Sequence, residues 1–170
     1  RFSGTLSWRK AAFNHFLRKN NNMAELPQFS NYNEATARSL IESNNRNMGG
    51  LPGFIGMELV EFGPGTLRAK VEVREELLTA FGTMHGGVMA GFIDHVLGVV
   101  LYPLMQPGQW AATTEFKLNY LASVSKGTLV ADSEVVSLTR TTAVVRALVT
   151  NEGRLCCAAQ GTLLIREPRK

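Results

Sequence analysis

His85-Gly86-Gly87-Val88-Met89-Ala90-Gly91-Phe92-Ile93-Asp94-His95, continuing from Val96 to Met105 (VLGVVLYPLM), is the stretch on which the fold turns. From Gly86 to Met105 it is almost wholly apolar, and only Asp94 and His95 bring ionisable side chains into it. That character predicts one long buried helix over residues 86–105. The segment also reaches the length of a membrane span. Asp94, His95, Pro103 and four glycines argue against one, and nothing comparable occurs elsewhere in the chain, so no membrane is expected as a partner.

Two features of this helix carry chemistry. A carboxylate in apolar surroundings is costly to bury without a partner, so Asp94 is either a structural anchor or a reactive group. Glycines at a helix start expose backbone N–H groups that can polarise a carbonyl oxygen. The segment thus offers an oxyanion-stabilising end and a carboxylate, the two parts that hydrolysis of an acyl bond needs. Nine helical residues from His85 to Asp94 rise about 13.5 Å, so one small carbonyl cannot touch both Gly86 N–H and Asp94 of the same chain. Two copies of the helix running antiparallel across a dimer interface would bring the parts together. Gly87 and Gly91 stand four apart, with Gly98 one heptad further on. They give the helix either a thin face for such an approach or room for the sheet on which it packs.

The remaining composition narrows the class. A chain of 170 residues, 45% hydrophobic and 19% charged, is long enough for one domain with a real core. Its net charge of +4 comes from one end: residues 1–22 hold five basic residues and no acidic one, which leaves the other 148 at a net −1. The domain itself is not basic, and no nucleic-acid partner is expected. Cys156 and Cys157 are adjacent. They cannot build a disulfide framework, and on a strand they are expected to point to opposite faces. A reducing, cytoplasmic location fits. No metal cluster, phosphate loop or nicotinamide fingerprint is present, so no metal and no cofactor are expected.

Read along its length, the chain begins with an acid-free stretch in which Trp8, Ala12 and Phe16 allow a short amphipathic helix. Residues 1–22 read as an extension or leader, native or not, with Met23 after the asparagine run as a natural start. If they belong to a transit peptide, the location becomes mitochondrial. Residues 23–48 form a helical segment, with a helix over Asn33–Asn47 and Asn33 as its N-cap. Residues 49–170 form the main domain. There Gly49–Gly53 reads as a loop, and strands are expected over Phe54–Phe62, Thr66–Val73, Ala112–Leu121, Leu129–Leu138, Thr141–Thr150 and Leu155–Ile165. The order is helix, two strands, long apolar helix, four strands. It predicts a single α+β domain with an antiparallel sheet wrapped around one central helix.

The chain resembles the hotdog-fold acyl-CoA thioesterases, in particular the PaaI-like branch of phenylacetate degradation. The likeness covers roughly Gly49 to Ile165. It rests on Gly82-Thr83-Met84-His85-Gly86-Gly87 with Asp94 nine after the histidine, on Thr113 to Leu121 (TTEFKLNYL), and on Ala158-Ala159-Gln160-Gly161-Thr162. The resemblance implies a homodimer with a continuous sheet, usually paired into a homotetramer, and an active site between subunits. It implies that the N–H matching Gly86 holds the thioester oxygen. The carboxylate matching Asp94 comes from the partner as general base or nucleophile, and His85 shapes the site. It further implies substrate-binding roles for Gly87, Thr79, Thr113 and Arg140, the last toward the phosphates of coenzyme A, which is part of the substrate. One departure is Thr79, where relatives often carry Asn or Gln; a hydroxyl reaches less far than an amide. Another is the absence of the family's frequent proline from Leu121–Val124. The expected activity is hydrolysis of an acyl- or aryl-acyl-CoA to the free acid and CoA. The alternative is a hotdog that binds acyl-CoA without hydrolysing it.

Overall fold

The computed structural model describes residues 27–168 except Met48. The helix expected around Trp8, Ala12 and Phe16, the leader over residues 1–22 and the start at Met23 lie outside the described residues.

The main domain is a six-stranded antiparallel sheet around one helix. Helices α1 (Glu34–Asn47) and α2 (Gly50–Ile55) lead into strands β1 (Met57–Gly63) and β2 (Thr66–Glu72). The central helix α3 (Gly86–Val99) follows, then β3 (Trp110–Tyr120), β4 (Thr128–Leu138), β5 (Thr142–Asn151) and β6 (Arg154–Arg166). The strand order is β1-β2-β4-β5-β6-β3, so β1 and β3 are the edges.

The core lies between the sheet and one face of α3. Met89, Phe92, Ile93, Val96, Leu97 and Val100 recur with helical spacing, and all are buried. They meet the inward residues of the strands, among them Leu67, Ala69, Val71, Ala131, Val145 and Leu163. The opposite face of α3 carries Gly87, Gly91 and Asp94. A helix that is apolar nearly all round is therefore a core helix here, with the sheet taking the place of lipid.

Three expectations need correction. First, α3 ends at Val99 rather than continuing regularly to Met105; a 3-10 helix over Tyr102–Leu104 finishes the segment. Pro103 has no N–H to give the Val99 carbonyl, and the chain tightens to i→i−3 bonds, Leu101 N–H to Gly98 O at 3.2 Å and Leu104 N–H to Leu101 O at 2.9 Å. Second, Gly50–Ile55 is a helix, not a loop running into a strand at Phe54, and β1 begins only at Met57. Gly56, at φ 76°, closes that helix with its N–H on Gly53 and Pro52 carbonyls. Arg74 donates to the carbonyls of Phe54 and Ile55.

Third, Cys156 and Cys157 do not face opposite sides: both are buried. The β5–β6 register jumps from Val149↔Cys157 to Thr150↔Leu155, which leaves Cys156 as the unpaired residue of a bulge. The bulge turns its thiol inward, 3.2 Å from Val149 O. Of the two readings of the glycine stripe, room for packing within the chain has support at Gly91 and Gly98. A Cβ on Gly91 would stand 3.1 Å from Leu51 Cδ2 and 3.6 Å from Ile55 Cδ1, so α2 lies over it. At Gly98 the neighbour is Leu163 of β6, at 3.9 Å.

Candidate active site

The start of α3 is built by three chain segments. Met84 N–H bonds Val124 O at 2.7 Å and His85 N–H bonds Leu77 O at 2.9 Å, which fixes the approach to the helix. His85 is the N-cap, and its Nδ1 accepts the Gly87 N–H at 2.9 Å. The neutral imidazole then carries its proton on Nε2. The His85 carbonyl takes the N–H groups of Val88 and Met89 at 3.0 and 3.1 Å. Of the first four amides of the helix, Gly86 N–H alone has no acceptor among the described residues, because the capping side chain serves Gly87 instead.

A groove of about 390 Å³ opens at this point, lined by Thr83, Met84, Gly86, Met89, Tyr120 and Leu121 to Val124. It is mostly apolar, with one backbone N–H at its head. Tyr120, at the end of β3, donates its hydroxyl to Gly86 O at 2.7 Å. In the sequence Tyr120 reads only as part of the strand expected over Ala112–Leu121. Its polar tip on an apolar body was the available signal.

Asp94 lies on the same helix eight residues beyond Gly86, a rise of about 12 Å. Its Oδ1 is buried and has no hydrogen-bond partner, and the same holds for His95 Nε2. These are the two orphaned buried side-chain atoms among the described residues, and they are sequence neighbours. Burial lowers the His95 pKa, against a smaller opposing pull from the Asp94 carboxylate. Unsatisfied polar atoms in a core helix call for an explanation.

The structure gathers some of the expected residues and separates others. His85, Gly86 and Gly87 form one cluster. Thr79 sits in the loop leading to it, but its hydroxyl is engaged locally, 3.3 Å from Thr83 Oγ1 and accepting Phe81 N–H at 3.2 Å. Thr113 is exposed on the edge strand β3, just before the bulged Thr114. Arg140 is at the β4–β5 turn beside Leu104 and Met105, on a second groove of about 470 Å³ at the far end of α3. Within one chain, therefore, Gly86, Asp94 and Arg140 occupy three separate levels of the domain. Among the described residues no group of His, Cys, Asp and Glu is arranged to hold a metal ion.

A six-stranded antiparallel sheet wrapped around one long helix is the hotdog fold. Residues 81–158 match the family model of the Thioesterase superfamily. A 1,4-dihydroxy-2-naphthoyl-CoA hydrolase from Listeria monocytogenes is 29% identical over 122 residues, 71% of this chain and 99% of that protein. A thioesterase from Haemophilus influenzae shares the fold with a TM-score of 0.72 at 21% identity, over 79% of this chain and 93% of its own. A hypothetical thioesterase from Streptococcus pneumoniae, solved with coenzyme A, is 28% identical with a TM-score of 0.61, over 67% of this chain and 88% of its own.

Proposed function

We propose that this protein is an acyl-CoA thioesterase that hydrolyses an acyl- or aryl-acyl-CoA to the free acid and coenzyme A. The observation that carries the reading is the unpaired Gly86 N–H at the head of the apolar groove, on a helix whose Asp94 keeps a buried carboxylate oxygen without a partner. The thioester oxygen accepts the Gly86 N–H, and negative charge builds there as water or the carboxylate adds to the carbonyl carbon. The C–S bond then breaks and CoA leaves as its thiol. Asp94 acts as general base on that water, or as nucleophile through an acyl-enzyme that water resolves.

The rise of about 12 Å between the parts supports a homodimer as the working unit, with Asp94 of one subunit serving Gly86 of the other and two dimers pairing into a homotetramer. Arg140, separated from Gly86 within its own chain, serves the partner's site from the CoA side, and Thr113 stands near the attacking water. The Listeria relative's printed activity and the coenzyme A in the pneumococcal structure support a CoA thioester as substrate class. The PaaI-like branch rests on the HGG and Asp94 spacing. The binding-only alternative draws support from Thr79, whose hydroxyl is spent inside its own loop.

The test is a hydrolysis panel of short, medium, long and aromatic acyl-CoAs, run on wild type and on Asp94→Asn. The expectation is turnover by wild type and a loss on the order of 10²-fold or more in the variant, with binding kept. Equal turnover by Asp94→Asn would make Asp94 structural and the mechanism wrong. Binding by wild type without turnover of any acyl class would establish the alternative.

A further inference from the structure

The peptide group between Gly86 and Gly87 is held at both ends. Its carbonyl accepts the Tyr120 hydroxyl at 2.7 Å, and its N–H donates to His85 Nδ1 at 2.9 Å. The peptide on the other side of Gly86 is anchored too, through the His85 carbonyl and the N–H groups of Val88 and Met89. Gly86 is the residue type with the widest backbone freedom, yet both of its flanking peptides are tied down. Tyr120 also fills the place a side chain would take: a Cβ on Gly86 would meet Tyr120 Oη at 3.0 Å and Cζ at 3.2 Å.

The Gly86 carbonyl does not need the tyrosine to be satisfied. In a regular helix the amide four residues on already serves it. The extra bond comes from a residue 34 positions away, at the end of an edge strand. Its effect is on aim. An oxyanion donor is worth most when it is fixed before charge develops, because no reorganisation is then needed during reaction. A glycine free to rock about φ would let its N–H wander from the thioester oxygen.

We propose that Tyr120 is a positioning residue which, together with His85, clamps the Gly86–Gly87 peptide and so fixes the direction of the Gly86 N–H. The inference rests on the reading of that N–H as the oxyanion donor. It also accounts for His85 as the second jaw of the clamp, with no proton transfer required of it. Tyr120 is exposed, but partial desolvation, with a smaller contribution from Cys157, raises its pKa further above neutrality, and the phenol stays a donor.

Tyr120→Phe removes one oxygen and tests the clamp. The expected result is a kcat about 10-fold lower with KM within about twofold, since an interaction felt mainly in the transition state is weakened. The melting temperature should be unchanged, while hydrogen exchange of the Gly87 amide quickens and that of buried α3 amides does not. A second variant reaches the same contact from the other side: Gly86→Ala keeps the N–H but makes the tyrosine hydroxyl give by a few tenths of an ångström, and should lower kcat by a smaller factor. The double variant should fall little further than Tyr120→Phe alone, because both act on one contact.

Asp94→Asn runs beside them. If it is inactive and Tyr120→Phe matches wild type in kcat and in Gly87 exchange, the clamp is overturned and the thioesterase reading stands. If wild type hydrolyses no acyl-CoA, or Asp94→Asn is undiminished, the thioesterase reading fails; unchanged Gly87 exchange in Tyr120→Phe would then overturn the clamp separately. A fall in melting temperature that fully accounts for lost activity would overturn it as well.

Discussion

Gly161 lies directly opposite Phe116 across the β3–β6 ladder, and a Cβ on it would stand 2.8 Å from Phe116 Cβ. The same added carbon would meet Glu115 O at 3.0 Å and Leu97 Cδ1 at 3.1 Å. One of these neighbours is backbone and cannot swing aside. Here β3 is drawn close to α3, and the glycine allows it. Gly161→Ala is therefore expected to destabilise the fold by about 1–3 kcal/mol, as overpacking does, although alanine is usually preferred to glycine in a strand. Urea denaturation of the two proteins checks this, and an unchanged midpoint would show that β3 has room to move.

A site shared between subunits predicts complementation. Asp94→Asn lacks the carboxylate, and Gly86→Pro lacks the N–H. Each homo-oligomer should be nearly inactive. A mixed dimer holds one site that pairs an intact Gly86 with an intact Asp94. Co-expressed with different tags and purified through both, it should recover up to about half of wild-type activity, since rate follows the number of complete sites. Each parent must first be shown to assemble. Verified mixed dimers as dead as their parents would confine the site to one chain or to other residues.

His95 sets a dependence of stability on pH. Burial holds its folded-state pKa below the ordinary value, with Asp94 opposing more weakly. The unfolded chain therefore takes up the proton more readily than the folded one, and stability falls as pH drops below about 6.5. The loss continues until the lowered folded-state pKa is reached. His95→Gln should flatten the difference in urea midpoint between pH 7 and pH 5 relative to wild type. Identical slopes would mean that the imidazole is hydrated in solution.

Arg74 ties α2 to the rest of the domain. Its guanidinium serves the carbonyls of Ile55 and Phe54 and lies 5.6 Å from the Phe54 ring centroid. Lysine cannot reproduce that two-carbonyl grip and ring contact together. Arg74→Lys should cost about 1 kcal/mol of stability and loosen Leu51 from Gly91. Faster hydrogen exchange confined to residues 50–56 would be the local signature.

The legible parts of this fold were those written in local chemistry. Asn33 caps α1 as its residue type suggests, accepting Thr36 N–H at 2.9 Å. Strand β2 lies where it was expected and alternates as a half-buried strand should, with Leu67, Ala69 and Val71 inside. The paired glycines and their spacing to Asp94 drew attention to the residues on which the proposed site rests. The parts that escaped depend on partners remote in sequence. GLPGFI carries the punctuation of a loop, and it becomes a helix because Arg74, some twenty residues later, takes its last carbonyls. The bulge at Cys156 is a matter of register between two strands, which neither strand spells out alone. Tyr120 looks like any strand aromatic until the topology sets β3 beside the start of α3.

That bulge gives the protein a built-in gauge of its own opening. Burial raises the pKa of both cysteine thiols, and β6 is paired on both sides, with β5 and β3. A thiol-modifying reagent added to the folded protein should therefore wait for β6 to part from its neighbours. Because Cys156 and Cys157 are adjacent and both turned inward, one opening event uncovers the pair. If modification is fast once the strand opens, intact protein should gain mass in steps of two labels, with few singly labelled molecules. The rate of that double step would then time the separation of the strands that carry Tyr120 to the head of the central helix.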